Sequence, residues 1–200
     1  MYTYLALGDS YTIGEQVPME ENFPFQIVKL LRQQKIETAD PVIIAKTGWT
    51  TDELAMAVRE EGIKETFSFV TLLIGVNNQY RGRELENYKQ EFTSLLDQAI
   101  VFANGHTQNV FVLSIPDWGV TPFAHDRDRG KVAKEIDAYN EANKEITAAH
   151  KCHYLDITDS TRKNGTTPEY LAEDGLHPSG KEYAVWAERL APVIEKVLKS

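Results

Sequence analysis

The feature that most constrains this chain is a regular alternation of short apolar runs with longer stretches of helical period. Strand-like runs fall at residues 2–7, 42–45, 69–74, 110–115 and 153–157. Helical patterns fall at 25–34, 52–61, 85–103, 132–150 and 180–198. The third of these carries Leu85, Tyr88, Phe92, Leu95, Leu96 and Ala99 on one stripe, and the last carries Tyr183, Trp186, Ala187, Leu190, Ile194 and Val197. Thr50 with Glu53, and Ser179 with Glu182, have the spacing of capping boxes at two helix starts. Five strands each followed by a helix predict a parallel sheet covered on both faces. Right-handed crossovers then make it a doubly wound open sheet. No repeat, low-complexity tract or linker interrupts the pattern, so one α/β domain over residues 1–200 is expected.

Composition narrows what such a domain could meet. Thirty acidic against 21 basic residues leave a formal net charge of −9. An acidic surface without a basic run repels phosphate backbones, which argues against nucleic acid as a partner. A single cysteine, Cys152, allows no intrachain disulfide and fits a reducing compartment. No apolar run is long enough to span a bilayer, and the first residues lack the basic and small-residue signature of a secretory signal. A cytoplasmic location is the resulting expectation.

In sheets of this kind ligands bind beyond the carboxyl ends of the strands, so the residues just after each strand carry the functional signal. Gly8-Asp9-Ser10-Tyr11-Thr12 comes after the first, Thr47-Gly48-Trp49-Thr50 after the second, and Gly75-Val76-Asn77-Asn78 after the third. Pro116-Asp117-Trp118-Gly119 comes after the fourth, and Asp174-Gly175-Leu176-His177-Pro178 lies across a long loop from the fifth. A serine needs a base within hydrogen-bond reach to attack at neutral pH, and the base needs an orienting carboxylate. Asp174 and His177, three apart in a glycine-containing turn, could supply both to Ser10. The Gly48 N–H, the Asn77 amide and the Ser10 N–H are candidate donors to an oxyanion.

These segments resemble the SGNH hydrolase (GDSL-type esterase–lipase) family. Gly8-Asp9-Ser10 is similar to its nucleophile block, Gly48 to its second-block glycine, Gly75-Val76-Asn77 to its third block, and Asp174 with His177 to its fifth-block D-x-x-H pair. The resemblance implies a three-layer α/β/α sandwich of flavodoxin-like kind with a five-stranded parallel sheet. It also implies ester hydrolysis through an acyl-enzyme, a catalytic triad of Ser10, His177 and Asp174, and an oxyanion hole of Ser10, Gly48 and Asn77, with no cofactor and no metal. One departure stands out: the family's third block usually continues with aspartate, and here Asn78 follows Asn77. The family covers short-chain esters, acetylated sugars, lysophospholipids and acyl thioesters. A small carboxylic ester, including an acyl group on a carbohydrate, is the favoured substrate, with lysophospholipase or acyl thioesterase action as the alternative.

Taken singly, each of these residues has a plainer reading as a turn residue. Their conjunction, in order and each after its own strand, is the specific signal. A G-x-S-x-G α/β-hydrolase is disfavoured because Thr12 stands where the last glycine should and the serine lies so near the start. A flavodoxin-like binder could use Ser10-Tyr11-Thr12-Ile13-Gly14 to hold a phosphate, but this leaves Asn77, Asp174 and His177 unexplained. Trp49, Tyr80, Trp118 and Phe123 fall on the functional edge and are candidate substrate contacts. The long segment 116–130 reads as a wall or lid, with Gly119 as its flexible point. His125-Asp126-Arg127-Asp128-Arg129 lacks metal-ligand spacing and reads as a solvated loop.

Overall fold

A computed structural model describes all residues, Met1–Ser200. Its strands are β1 (Tyr4–Asp9), β2 (Val42–Lys46), β3 (Phe69–Leu73), β4 (Val110–Leu113) and β5 (His153–Leu155), joined in one sheet of order β2-β1-β3-β4-β5. Every pairing is parallel. The strand order reverses on either side of β1, between its neighbours β2 and β3, which is the switch point where doubly wound sheets leave a crevice.

The principal helices are α2 (Phe23–Gln33), α3 (Thr51–Glu61), α5 (Leu85–Phe102), α6 (Arg129–Ala149) and α8 (Gly180–Leu198). Helix α2 packs on α8, while α5 packs against both α3 and α6, so the sheet is sandwiched between two helical layers. The central strands β1 and β3 are buried along their whole length, and the edge strand β2 is partly exposed. Three of these helix starts carry a side-chain cap. Asn22 accepts the Phe25 N–H at 2.9 Å to begin α2, and Asp128 accepts the Lys131 N–H at 3.0 Å to begin α6. The Glu53 carboxylate reaches back to the Thr50 N–H at 2.9 Å to begin α3, as its spacing predicts.

Three details depart from the sequence pattern. The first strand extends to Asp9 rather than ending at Leu7, because Gly8 and Asp9 still pair with Ala45 and Lys46. Three short helices have no counterpart in the sequence periodicity: α1 (Ser10–Ile13), α4 (Val76–Tyr80) and α7 (Thr158–Asn164). The third departure is at Ser179 and Glu182, which form no capping box. The Ser179 hydroxyl donates to the Glu169 carbonyl instead. Glu182 turns inward, where its carboxylate accepts from Ser160 Oγ at 2.5 Å, Asn164 Nδ2 at 2.7 Å and Trp186 Nε1 at 2.9 Å.

Candidate active site

Gly8 is fixed by crowding at the end of β1. A Cβ there would lie 2.0 Å from Thr12 Oγ1 and 2.6 Å from the Leu73 carbonyl oxygen, so only glycine lets α1 fold back over the end of β1 where it pairs with β3. Asp9 caps α1 by accepting the Tyr11 N–H at 3.0 Å, which leaves Ser10 as the first residue of the helix. Ser10 is only 4% exposed and His177 only 7%. The two meet at 3.0 Å between Ser10 Oγ and His177 Nε2. On its other side the imidazole Nδ1 lies 2.6 Å from Asp174 Oδ2. Asp174 is itself held by its own turn: Oδ1 accepts the main-chain N–H of Leu176 at 2.9 Å and of His177 at 3.0 Å.

These contacts set the charge on Asp174. Burial raises its pKa, but the hydrogen bonds from the His177 ring and the two main-chain N–H groups outweigh burial and hold it below the ordinary carboxylate range. It therefore stays ionised beside the histidine. Asp9 is the opposite case. It is fully buried, its partners are the Tyr11 N–H and, at 3.4 Å, the Asn77 amide, and neither is a cation. Burial pushes its pKa up to about 7 against those hydrogen bonds.

Ser10, Gly48, Asn77 and His177 line one cleft of about 180 Å³. Gly48 has φ +85°, a left-handed conformation that favours glycine in its turn. The Asn77 amide nitrogen donates to the Trp49 carbonyl at 2.9 Å, and its second hydrogen has only the long contact to Asp9. Asn78 is buried and bonds twice to Thr51, accepting its N–H at 3.1 Å and donating to its hydroxyl at 2.7 Å.

The aromatic candidates divide. Tyr80, Trp118 and Phe123 line the cleft, with Tyr80 and Phe123 44% and 41% exposed at its mouth. The Tyr80 and Trp118 rings meet edge to face at 5.1 Å. Trp49 is not on the cleft wall; it contributes its carbonyl to Asn77 while its side chain packs beside the core. Trp118 is buried and anchored, its indole N–H donating to Gln79 Oε1 at 2.7 Å, with the Gln79 amide bonded in turn to Glu135 at 2.8 Å. The segment after β4 is braced rather than hinged. Gly119 is buried with Val132 Cγ1 only 2.8 Å from where a Cβ would be, and Asp117 is paired with Arg162 at 2.9 Å. Phe123 donates its N–H to the Gly175 carbonyl at 3.1 Å, which ties this wall to the turn carrying Asp174. Asp128 in the charged run is the cap of α6.

Sequence reasoning missed Tyr11, whose ring lies 5.1 Å from that of His177 and shares the cleft wall. Tyr11, Trp118 and Leu176 also line a smaller neighbouring cavity of about 20 Å³, room for a single water. It missed Gln79 and Arg81 as well, both on or just after a helix too short to show a period. No group of His, Cys, Asp and Glu side chains is arranged to hold a metal ion, and no helix is long and apolar enough to cross a membrane.

Comparison with known proteins agrees with this fold. The model of the GDSL-like lipase/acylhydrolase family matches residues 6–185. The spore germination lipase LipC of Bacillus licheniformis is 22% identical over 94% of this chain and 93% of its own. Among solved structures, TesA has a TM-score of 0.76 at 18% identity, covering 98% of this chain and 99% of its own. Axe2, an acetylxylan esterase from Geobacillus stearothermophilus, has a TM-score of 0.75 at 19% identity, covering 96% and 94%. At such identities the structural likeness speaks for the shared fold.

Proposed function

The chain belongs to the GDSL-like lipase/acylhydrolase family and is an ester hydrolase, and from that premise we propose that Ser10, His177 and Asp174 are its catalytic triad, acting on small carboxylic esters. The observation that carries this reading is the unbroken line of hydrogen bonds from Asp174 through His177 to Ser10, opening into the cleft beside Gly48 and Asn77. His177 Nε2 takes the Ser10 proton as Oγ attacks the ester carbonyl, and the carbonyl electrons move onto oxygen. The N–H groups of Ser10 and Gly48 and the Asn77 amide hydrogen that otherwise has only the long contact to Asp9 receive that oxyanion. Collapse expels the alcohol, which leaves with the proton from His177. Water, activated by the same histidine, then hydrolyses the acyl-serine. Asp174 stays ionised and keeps the imidazole in the tautomer whose Nε2 can accept a proton.

The size of the cleft supports a short acyl group. The cleft holds about 180 Å³, and the neighbouring cavity lined by Tyr11, Trp118 and Leu176 only about 20 Å³. The exposed rings of Tyr80 and Phe123 suit stacking on a sugar, which makes acylated carbohydrates one substrate class within this reading. The acetylxylan esterase Axe2 is compatible with that choice, whereas an acyl thioesterase or lysophospholipase would need room for a longer chain. A fluorophosphonate should label Ser10, and Ser10→Ala should remain folded while losing turnover by roughly 10⁴-fold or more. Rates on p-nitrophenyl esters, acetylated sugars, lysolipids and acyl-CoA then rank the substrate classes. Persistent labelling in Ser10→Ala would overturn the triad, and a preference for long acyl chains would overturn the short-acyl reading.

A further inference from the structure

We infer that Arg81 is a positioning residue for catalysis, holding the Gly48 turn in the place from which its N–H reaches the oxyanion. The inference rests on the oxyanion role proposed for Gly48. It starts from the way two side chains of one helical turn seize consecutive carbonyls of one loop. Asn77 and Arg81 are four apart, joined by the Arg81 N–H to Asn77 carbonyl bond at 3.0 Å. Asn77 Nδ2 donates to the Trp49 carbonyl at 2.9 Å, and Arg81 Nη2 donates to the Gly48 carbonyl at 2.6 Å. The second contact is charge-assisted and short, the stronger kind of hydrogen bond.

Gly48 needs such a hold. It lies third in a turn closed by the Trp49 N–H on the Lys46 carbonyl at 3.2 Å, and its φ of +85° is that of a type II turn. The middle peptide of a turn can flip between the type I and type II arrangements, and the flip reverses the direction of the N–H at the third residue. That N–H is the Gly48 donor. The flip turns that one peptide and leaves the next carbonyls in place, so the left-handed φ of glycine selects the type II form, while Arg81 and Asn77 fix where the turn, and with it the Gly48 N–H, sits beside the cleft. Arg81 also lies 3.3 Å from Glu53 in an exposed ion pair, and Glu53 accepts the Thr50 N–H at the start of α3. Arg81 is not among the residues lining the cleft, so it acts through Gly48 rather than on the substrate. The competing account makes Arg81 half of a surface ion pair with Glu53, and such pairs contribute little.

The two accounts separate in kinetics on p-nitrophenyl acetate. Arg81→Ala should lower kcat about 10-fold, less than the ~10²–10³ expected for outright loss of an oxyanion donor. KM should stay within about twofold and the unfolding temperature should change little, because uniform binding and packing are untouched. Millimolar guanidinium should restore part of the lost kcat in Arg81→Ala and none in Asn77→Ala. A trifluoromethyl ketone, whose adduct with Ser10 carries an oxyanion, should lose affinity by the same factor as kcat/KM. Glu53→Gln, which keeps the cap on Thr50 and the Arg81–Gly48 bond, should stay within about twofold of wild type. Wild-type kcat in Arg81→Ala overturns the inference. So does an equal loss in Glu53→Gln, which would assign the effect to the ion pair. Failure of the wild-type enzyme to be labelled at Ser10 would instead remove the underlying reading, and that measurement is independent of both variants.

Discussion

Asp9→Asn should make the protein more stable, and only above about pH 4, where the carboxyl of the unfolded chain ionises. Asp9 is fully buried with two neutral donors for company, and burial lifts its pKa from 3.8 to about 7. The folded state therefore holds this proton more tightly than the unfolded chain. Stability from this group is at its full value below about pH 4, falls as pH rises from about 4 to about 7, and stays at the reduced level above that. A window of about three pH units, at about 1.4 kcal/mol each, places the loss near ~4 kcal/mol. Asparagine has the same shape, no charge at any pH, and a side-chain carbonyl that can accept the Tyr11 N–H in the same way. Urea unfolding of both proteins should give equal free energies at about pH 4 and a difference of about 4 kcal/mol in favour of Asp9→Asn at about pH 8. For a chain of this length that difference moves the unfolding temperature by roughly 10 °C. Asp174, Asp52 and Asp159, whose pKa values are lowered, stabilise in the opposite pH direction. They are common to both proteins and cancel in the difference. A gap that did not vary with pH, or no gap at the alkaline end, would refute the argument that an uncompensated buried carboxylate destabilises this site.

Other perturbations test the remaining parts of the site. Asp174→Asn should lower kcat on the order of 10⁴-fold, because an amide facing His177 Nδ1 forces the tautomer that cannot take the Ser10 proton, while His177→Ala should cost more; steady-state kinetics within about 10-fold of wild type would contradict this. Trp118→Ala should change the ranking of acyl chain lengths by roughly 1–3 kcal/mol between neighbouring esters, with Ser10 still open to a small phosphonate. Phe123→Ala should alter the ranking less, since Phe123 is half exposed and Trp118 is buried, and unchanged relative rates in both would place the specificity elsewhere. Glu182→Ala should lower stability by about 3 kcal/mol or more, since Trp186 Nε1 and Ser160 Oγ are left buried without an acceptor. Urea denaturation reads that loss directly, and an unchanged midpoint would show that water replaces the carboxylate at no cost.

The sheet was legible because β1, β3 and β4 are buried throughout and read as near-continuous apolar runs, interrupted only by Thr71 and the Gly8-Asp9 end of β1. Helices of 11 residues or more were legible because they complete three turns, enough for a period to show. The helices at Ser10, Val76 and Thr158 run four, five and seven residues, and one or two turns carry no pattern. The candidate site residues are concentrated on those short helices and on the turns, so periodicity located the strands while strand-end chemistry gave the candidate site. Glu182 shows the limit of spacing arguments. Ser-x-x-Glu is the same string whether the glutamate reaches back to a cap or turns inward to Trp186, and only the position of Trp186 behind it decides. Gly119 shows the same for glycine: close packing on Val132 and freedom to bend call for the same residue. Trp49 and Trp118 were equivalent as large aromatics after strands, and the side on which each turn closes separated them.

The replacement of the family aspartate by Asn78 makes sense only together with Thr51 and Glu91. Asn78 Oδ1 accepts the Thr51 N–H, and Asn78 Nδ2 donates to the Thr51 hydroxyl. That hydroxyl is then free to give its own proton to Glu91, with which it is bonded. The chain of donors runs from Asn78 through Thr51 to a carboxylate at a partly exposed position on α5. An aspartate at position 78 could accept from the Thr51 N–H but could not donate to the hydroxyl. The hydroxyl proton would then be shared between two carboxylates, one of them with no exposure to water. The amide thus moves the charge from the buried end of the network to Glu91, where Arg83 lies 3.8 Å away. The third block stays tied to the start of α3, and Asn77 keeps its place beside Ser10 without a charge next to it in sequence.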